Sequence, residues 1–181
     1  MPMGYRERPG ADEYNPYYGR YIERVPQGDI LQILRTQIEE TAPLLLAAPQ
    51  QRHDWAYAPG KWTLKEVVGH LCDTERVMTY RALRFARADE TPLASFDENA
   101  YVPPADFGER TMESLVAELV AVRQATLALF SGLPAAAWTR VGVASNHPVS
   151  VRALACIVAG HELHHRAGIQ ERYLGAEPAR A

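Results

Sequence analysis

Val158-Ala159-Gly160-His161-Glu162-Leu163-His164-His165 places three of the chain's six histidines within five residues. On a helix, residues four apart differ by about 40° in azimuth and about 6 Å in height, so His161 and His165 can present their imidazoles to one ion. With Leu154 as the zero of the helical wheel, Ile157, Val158, His161 and His165 lie within roughly 60° of it, while His164 and Glu162 fall near −80° and +80°. The pair 161/165 is therefore expected in the middle of a buried stripe. His164 falls on its rim, as does Glu162, which reads as a surface residue or a general base. Two neutral imidazoles in an apolar stripe leave two lone pairs that need partners, and a divalent cation satisfies both at once. The alternative is a pair of core histidines bonded to buried carbonyls.

Outward from this stretch, Ser150 is expected to cap a helix running to about Tyr173. Upstream, Asp29 and Gln32 resemble a capping box ahead of Ile30, Leu31, Ile33, Leu34 and Ile38, with Pro43 kinking or ending that helix. Thr63-Leu64-Lys65-Glu66 is a stronger capping box and opens a helix to about Arg87, with Leu64, Val67, Leu71, Thr74, Met78, Ala82 and Phe85 on its buried stripe. Thr111 caps a further helix along Leu115, Leu119, Val122, Thr126, Leu129 and Leu133, stopped by Gly132 and Pro134. No strand with period-2 alternation stands out, and Asn146-His147-Pro148 reads as loop. Four amphipathic helices make an all-α bundle the natural architecture. The stretch 88–110, with Pro103-Pro104, reads as a long structureless connection, long enough to cross the bundle and leave the second and third helices parallel.

A catalytic zinc-type centre takes three protein ligands and keeps one position open. His147 lies outside the last helix, at least about 16 Å from His161 along the axis, and is out of reach. His53 sits in a loop between Arg52 and Asp54, where a solvated histidine is the default. His70 passes the geometric test: if its helix is antiparallel to the last one, it lies about 9 Å from the start of the first and His165 about 12 Å from the end of the second, at one height. The expected ligands are His70, His161 and His165.

His161-Glu162-Leu163-His164-His165 also reads as the His-Glu-x-x-His of zinc proteases. The third metzincin histidine would fall at Glu171, and no methionine follows for the Met-turn, so a protease is disfavoured.

Hydrophobic residues at 47% and charged at 23% fit one ordinary globular domain, with a formal net charge of −3 that leaves no basic footprint for nucleic acid. The apolar runs fall short of the twenty residues a membrane span needs. Met1 to Arg8 lack an apolar signal core, which points to the cytoplasm, and Cys72 and Cys156 read as small core residues. Residues 1–28, with five tyrosines, read as an irregular arm packed over a domain spanning 29–175.

The segments Tyr57-Ala58-Pro59-Gly60-Lys61-Trp62-Thr63, Glu66-Val67-Val68-Gly69-His70-Leu71 and Gly160-His161 through His165 together resemble the DinB/YfiT-like family. The resemblance covers nearly the whole chain from about residue 20. It implies an up-down-down-up four-helix bundle, three histidine ligands matching His70, His161 and His165, one divalent metal and often a homodimer. Relatives include thiol-dependent S-transferases and a mycothiol-dependent isomerase. Three imidazoles suit zinc, nickel, iron and copper alike; zinc or nickel leads, with iron or manganese behind. The expected function is activation of a low-molecular-weight thiol or of water against a small electrophile. The alternatives are hydrolysis of a small ester or amide, and a non-catalytic metal-binding protein of the stress response. Arg81, roughly 20° in azimuth from His70 and three turns on, is a candidate for positioning a substrate, as is the tyrosine-rich arm; a surface role for Arg81 competes with that.

Overall fold

The structure is a computed structural model that describes residues 7–175. Residues 1–6 of the expected arm, Tyr5 among them, lie outside the described residues. Among the described residues there are six α-helices: α1 (Gly19–Ile22), α2 (Ile30–Leu46), α3 (Leu64–Ala86), α4 (Glu98–Ala105), α5 (Met112–Ser131) and α6 (Val151–Gly168). The last continues as a π-helical turn over Ile169–Leu174.

The starts are where the caps put them. Asp29 accepts from the Leu31 amide at 2.9 Å, Thr111 from Ser114 at 3.1 Å and Ser150 from Ala153 at 3.1 Å. At α3 the reciprocal box is complete: the Glu66 amide donates to Thr63 Oγ1 at 3.2 Å, and the Thr63 amide to Glu66 Oε2 at 2.7 Å. Helix α2 runs through Pro43 to Leu46.

The four long helices form a bundle in which α3 packs on α5 and α6, and α2 closes the ring against α5 and α6. The side-chain pairs give the directions. Gln37 reaches the Ala159 carbonyl and Thr41 reaches Glu162, so α2 and α6 are parallel. Cys72 lies against Leu115 and Arg76 against Glu118, so α3 and α5 are parallel too. His70 meets both His161 and His165, and the start of α3 lies at the end of α6, so that pair is antiparallel. The order is up-down-down-up, and the link between α3 and α5 crosses the bundle as its length demands.

That link is not structureless. Asp97 caps α4 through the Asn99 and Ala100 amides, and the helix ends just after Pro103-Pro104. The next connection, expected as loop, is not irregular throughout either. Val141–Ala144 and His147–Ser150 form an antiparallel hairpin around Ser145-Asn146, both at positive φ (52° and 63°) as a two-residue primed turn requires. Strands of four residues are too short to show alternation in the sequence. The hairpin edge takes on Leu93, whose amide donates to the Val143 carbonyl at 2.9 Å.

Helix α5 is, among the described residues, the one helix long and apolar enough to cross a membrane, because alanine and leucine replace charges along it. Here it is a bundle helix, with Arg123 fully buried between its neighbours. Arg123 donates in parallel to both Glu75 oxygens at 2.8 Å, to Glu162 Oε2 at 2.6 Å and to the Leu34 carbonyl at 2.9 Å. Thr41 donates to the other Glu162 oxygen at 2.5 Å. Burial alone would lower the Arg123 pKa, but the bonds to and charge of Glu75, then of Glu162, hold it above its ordinary value. Glu162 is thus neither a surface residue nor placed as a base. The rim of a stripe is buried when two other bundle helices flank it, as α2 and α3 flank α6 here.

Candidate metal centre

The three expected ligands converge. His70 Nε2 lies 3.0 Å from His161 Nε2, and His165 Nε2 lies 3.1 Å from the same atom. All three ligand nitrogens fall within 4.8 Å of one another. Tetrahedral nitrogens held at about 2.1 Å from a zinc ion stand roughly 3.4 Å apart, so the cluster has about the dimensions of a coordination sphere.

Chemistry points the same way. Burial pushes His70 down to about 4 and His165 down to about 3, the latter also lowered by the neighbouring His70. His161, buried between them, is lowered well below its ordinary value, first by desolvation and then by His165 and His70. The rings are therefore neutral near pH 7, the state in which imidazole ligates. With its proton on Nδ1, toward Thr74 Oγ1 at 3.4 Å, His70 leaves Nε2 bare. Two facing neutral nitrogens can share one proton, but three aimed at one point cannot all be satisfied that way. One cation satisfies all three, and these residues fit a divalent metal.

The surroundings hold the rings in place. Trp62 lies against His70 with centroids 4.6 Å apart, and Tyr21 meets both His161 and His164 edge-on at 5.4 Å. The arm approaches this closely only because residue 160 is glycine: a Cβ there would stand 2.1 Å from the Tyr21 carbonyl oxygen. His164 lies beside the cluster rather than in it. His53 contacts the Ala48 carbonyl at 3.1 Å in its loop, and His147 stands on the exposed start of the second strand, as the spacing requires.

One side of the cluster opens to a cavity of about 200 Å³, walled by Tyr17, Tyr18, Tyr21, Met78, Phe96 and Ile157 among others. A second cavity, about 340 Å³ and rimmed by Arg24, Lys61 and Arg172, adjoins it across Trp62, His164 and His165. Arg81 is buried, not the solvated or ion-paired surface residue that was the alternative, because the hairpin and the 88–97 segment close over it. Arg123, Glu75 and Glu162 were not singled out as a unit by the sequence. Arg123 lies about 40° from Leu119 and Glu75 about 40° from Leu71, so opposite charges sat on two buried stripes, a readable sign of a buried pair. Cys72 and Cys156 are buried free thiols, pushed up by desolvation to about 12 and about 11.

The DinB superfamily model matches residues 33–169. The chain belongs to the DinB superfamily. No curated protein matches it in sequence. Among solved structures, YfiT from Bacillus subtilis, described as a probable metal-dependent hydrolase with an unusual four-helix bundle topology, is similar in fold. The two are 20% identical with a TM-score of 0.67, over 94% of this chain and 95% of that one.

Proposed function

We propose that this DinB-superfamily protein is a metal-dependent enzyme in which His70, His161 and His165 hold one divalent ion beside a substrate cavity. The reaction proposed is attack of a low-molecular-weight thiol, or of water, on a small electrophile. The observation that carries it is the convergence of three neutral ring nitrogens on the wall of a cavity of about 200 Å³.

An ion bound there lowers the pKa of a thiol or water beside it and polarises a carbonyl. The protein's own contribution is positioning and enclosure. Thr74 orients His70, the Tyr21 ring braces His161, and the Trp62 ring packs on His70. Among the described residues the cluster has three members and no fourth acidic, cysteine or histidine ligand, which supports an open position over a closed structural site.

Hydrolysis is the second reading, favoured by the description of YfiT. The test is to incubate metal-loaded protein with bacillithiol, mycothiol or glutathione and a panel of halogenated and epoxide electrophiles, and separately with small esters and amides. His165→Ala serves as the comparison. A rate on the electrophiles that needs both the thiol and His165 supports transfer, and a thiol-independent rate on the esters supports hydrolysis. Equal rates for both proteins on every substrate overturn both readings.

A further inference from the structure

Arg81 is 3% exposed, yet among the described residues no carboxylate lies within ion-pairing distance of its guanidinium. Its bonds go to neutral groups: the Ala94 carbonyl at 2.8 Å, Ser145 Oγ at 3.0 Å and Met78 Sδ at 3.8 Å. The Tyr18 hydroxyl also faces it. A buried charge is normally paired, because neutral acceptors do not replace the hydration of an ion. The contrast within this molecule is direct, since Arg123, also buried, meets two carboxylates.

Arg81 lines a cavity of about 160 Å³ beneath the hairpin. That cavity shares Tyr17, Tyr18, Met78 and Ser145 with the one beside the three histidines, so the two adjoin along those side chains. His70, Thr74, Met78 and Arg81 lie within about 80° on one face of α3 and line the two cavities in turn. The lining is largely aromatic and aliphatic, with Arg20 and Glu98 also on the wall of the part beside the histidines. The far end carries a planar cation that meets no carboxylate among the described residues and whose donors fit a carboxylate fork.

We infer that Arg81 is the anion-binding end of the substrate pocket: a carboxylate-bearing small molecule lies along α3 with its acid on Arg81 and its other end at His70, His161 and His165. This rests on the three histidines being the reacting centre. The Cα atoms of His70 and Arg81 are about 16 Å apart along the helix axis. The ligand is therefore elongated, with an apolar middle against Met78, Tyr18 and Phe96. Arg81 positions it and takes no part in bond making.

The probes are octanoate and its neutral isostere octanamide, titrated by calorimetry against the purified full chain, before and after stripping with a chelator. Octanoate should bind about tenfold more tightly than octanamide whether or not metal is present, since the carboxylate gains charge-assisted hydrogen bonds the amide lacks. Arg81→Gln should abolish that preference and Arg81→Lys should retain part of it, whereas Arg172→Gln, on the rim of the other cavity, should leave it intact. Equal binding of the two probes by the unaltered protein, binding of neither, or an undiminished preference in Arg81→Gln would each overturn the assignment. Failure of the three-histidine reading is separately visible: 6-mercaptohexanoate added to the cobalt-loaded protein would give no sulfur-to-metal charge-transfer band, while the octanoate preference persisted.

Discussion

The Tyr21 carbonyl oxygen occupies the space beside Gly160 so closely that a Cβ at 160 would stand 2.1 Å from it. Backbone cannot yield as a flexible side chain can, so Gly160→Ala must push α1 away from α6. The expected cost is about 1–3 kcal/mol, the usual range for overpacking, with loss of the Tyr21 brace on His161. Gly168→Ala, where nothing lies within 4 Å of the added atom, should be neutral or slightly stabilising. Thermal unfolding of the two variants checks this; equal melting temperatures would contradict it.

Replacing His70, His161 or His165 singly by Ala should lower bound metal well below one ion per chain, because two imidazoles in a fixed geometry bind far more weakly than three. His164→Ala should keep full stoichiometry. Elemental analysis of the purified variants decides, and retention of metal by any of the first three would remove that residue from the ligand set.

In protein stripped of metal, stability should fall as the solution is acidified below about pH 6.5. The folded-state pKa values of His70 and His165 are depressed to about 4 and about 3, so between those values and 6.5 the unfolded chain binds more protons than the folded one. Each such histidine contributes a slope of up to about 1.4 kcal/mol per pH unit, with stability rising as pH rises. Urea unfolding from pH 7 to pH 4.5 measures it, and His70→Ala should flatten the curve.

Arg123→Met should destabilise by about 3–5 kcal/mol, because it leaves Glu75 and Glu162 buried without their partner. Adding Glu75→Leu and Glu162→Leu should recover much of the loss. Denaturant midpoints of the single and triple variants test it, and a triple variant no better than the single one would argue against charge burial as the cause.

Association into a homodimer is also expected, with the alanine-bearing outer face of α5 (Ala117, Ala121, Ala125 and Ala128 exposed) as the apolar surface available for it. Sedimentation at micromolar concentration should show the dimer, and Ala121→Glu should shift it toward monomer. A monomer for the unaltered protein would discard this expectation.

The bundle was legible because local signals agreed with one another. Side-chain caps at Asp29, Thr63, Thr111 and Ser150 and period-3.6 stripes on each helix are short-range features, written within a turn or two of sequence. His70, His161 and His165 could be brought to one height by helix rise alone. What was not legible depended on neighbours. Glu162 looked peripheral on a single wheel and is interior because α2 and α3 flank it. For Arg81, three turns from His70, a positioning role and a surface role competed; it is buried because Ala94 and Ser145 cover it from segments with no sustained period of their own. Helix α4 hid behind Pro103-Pro104, which reads as a breaker although eight residues suffice for a helix that ends there.

The Arg123 guanidinium fastens α3, through Glu75, to α6, through Glu162, and ties both to α2 through the Leu34 carbonyl and Thr41. The two helices that carry His70 and His161 are thus locked in register by a device that involves none of the ring nitrogens. Under the proposed metal-binding role, the three histidines make a preformed socket whose nitrogen spacing is dictated by the scaffold rather than by its occupant. Ions would then compete on radius and on ease of shedding water, and exchange of one for another could proceed without the bundle opening.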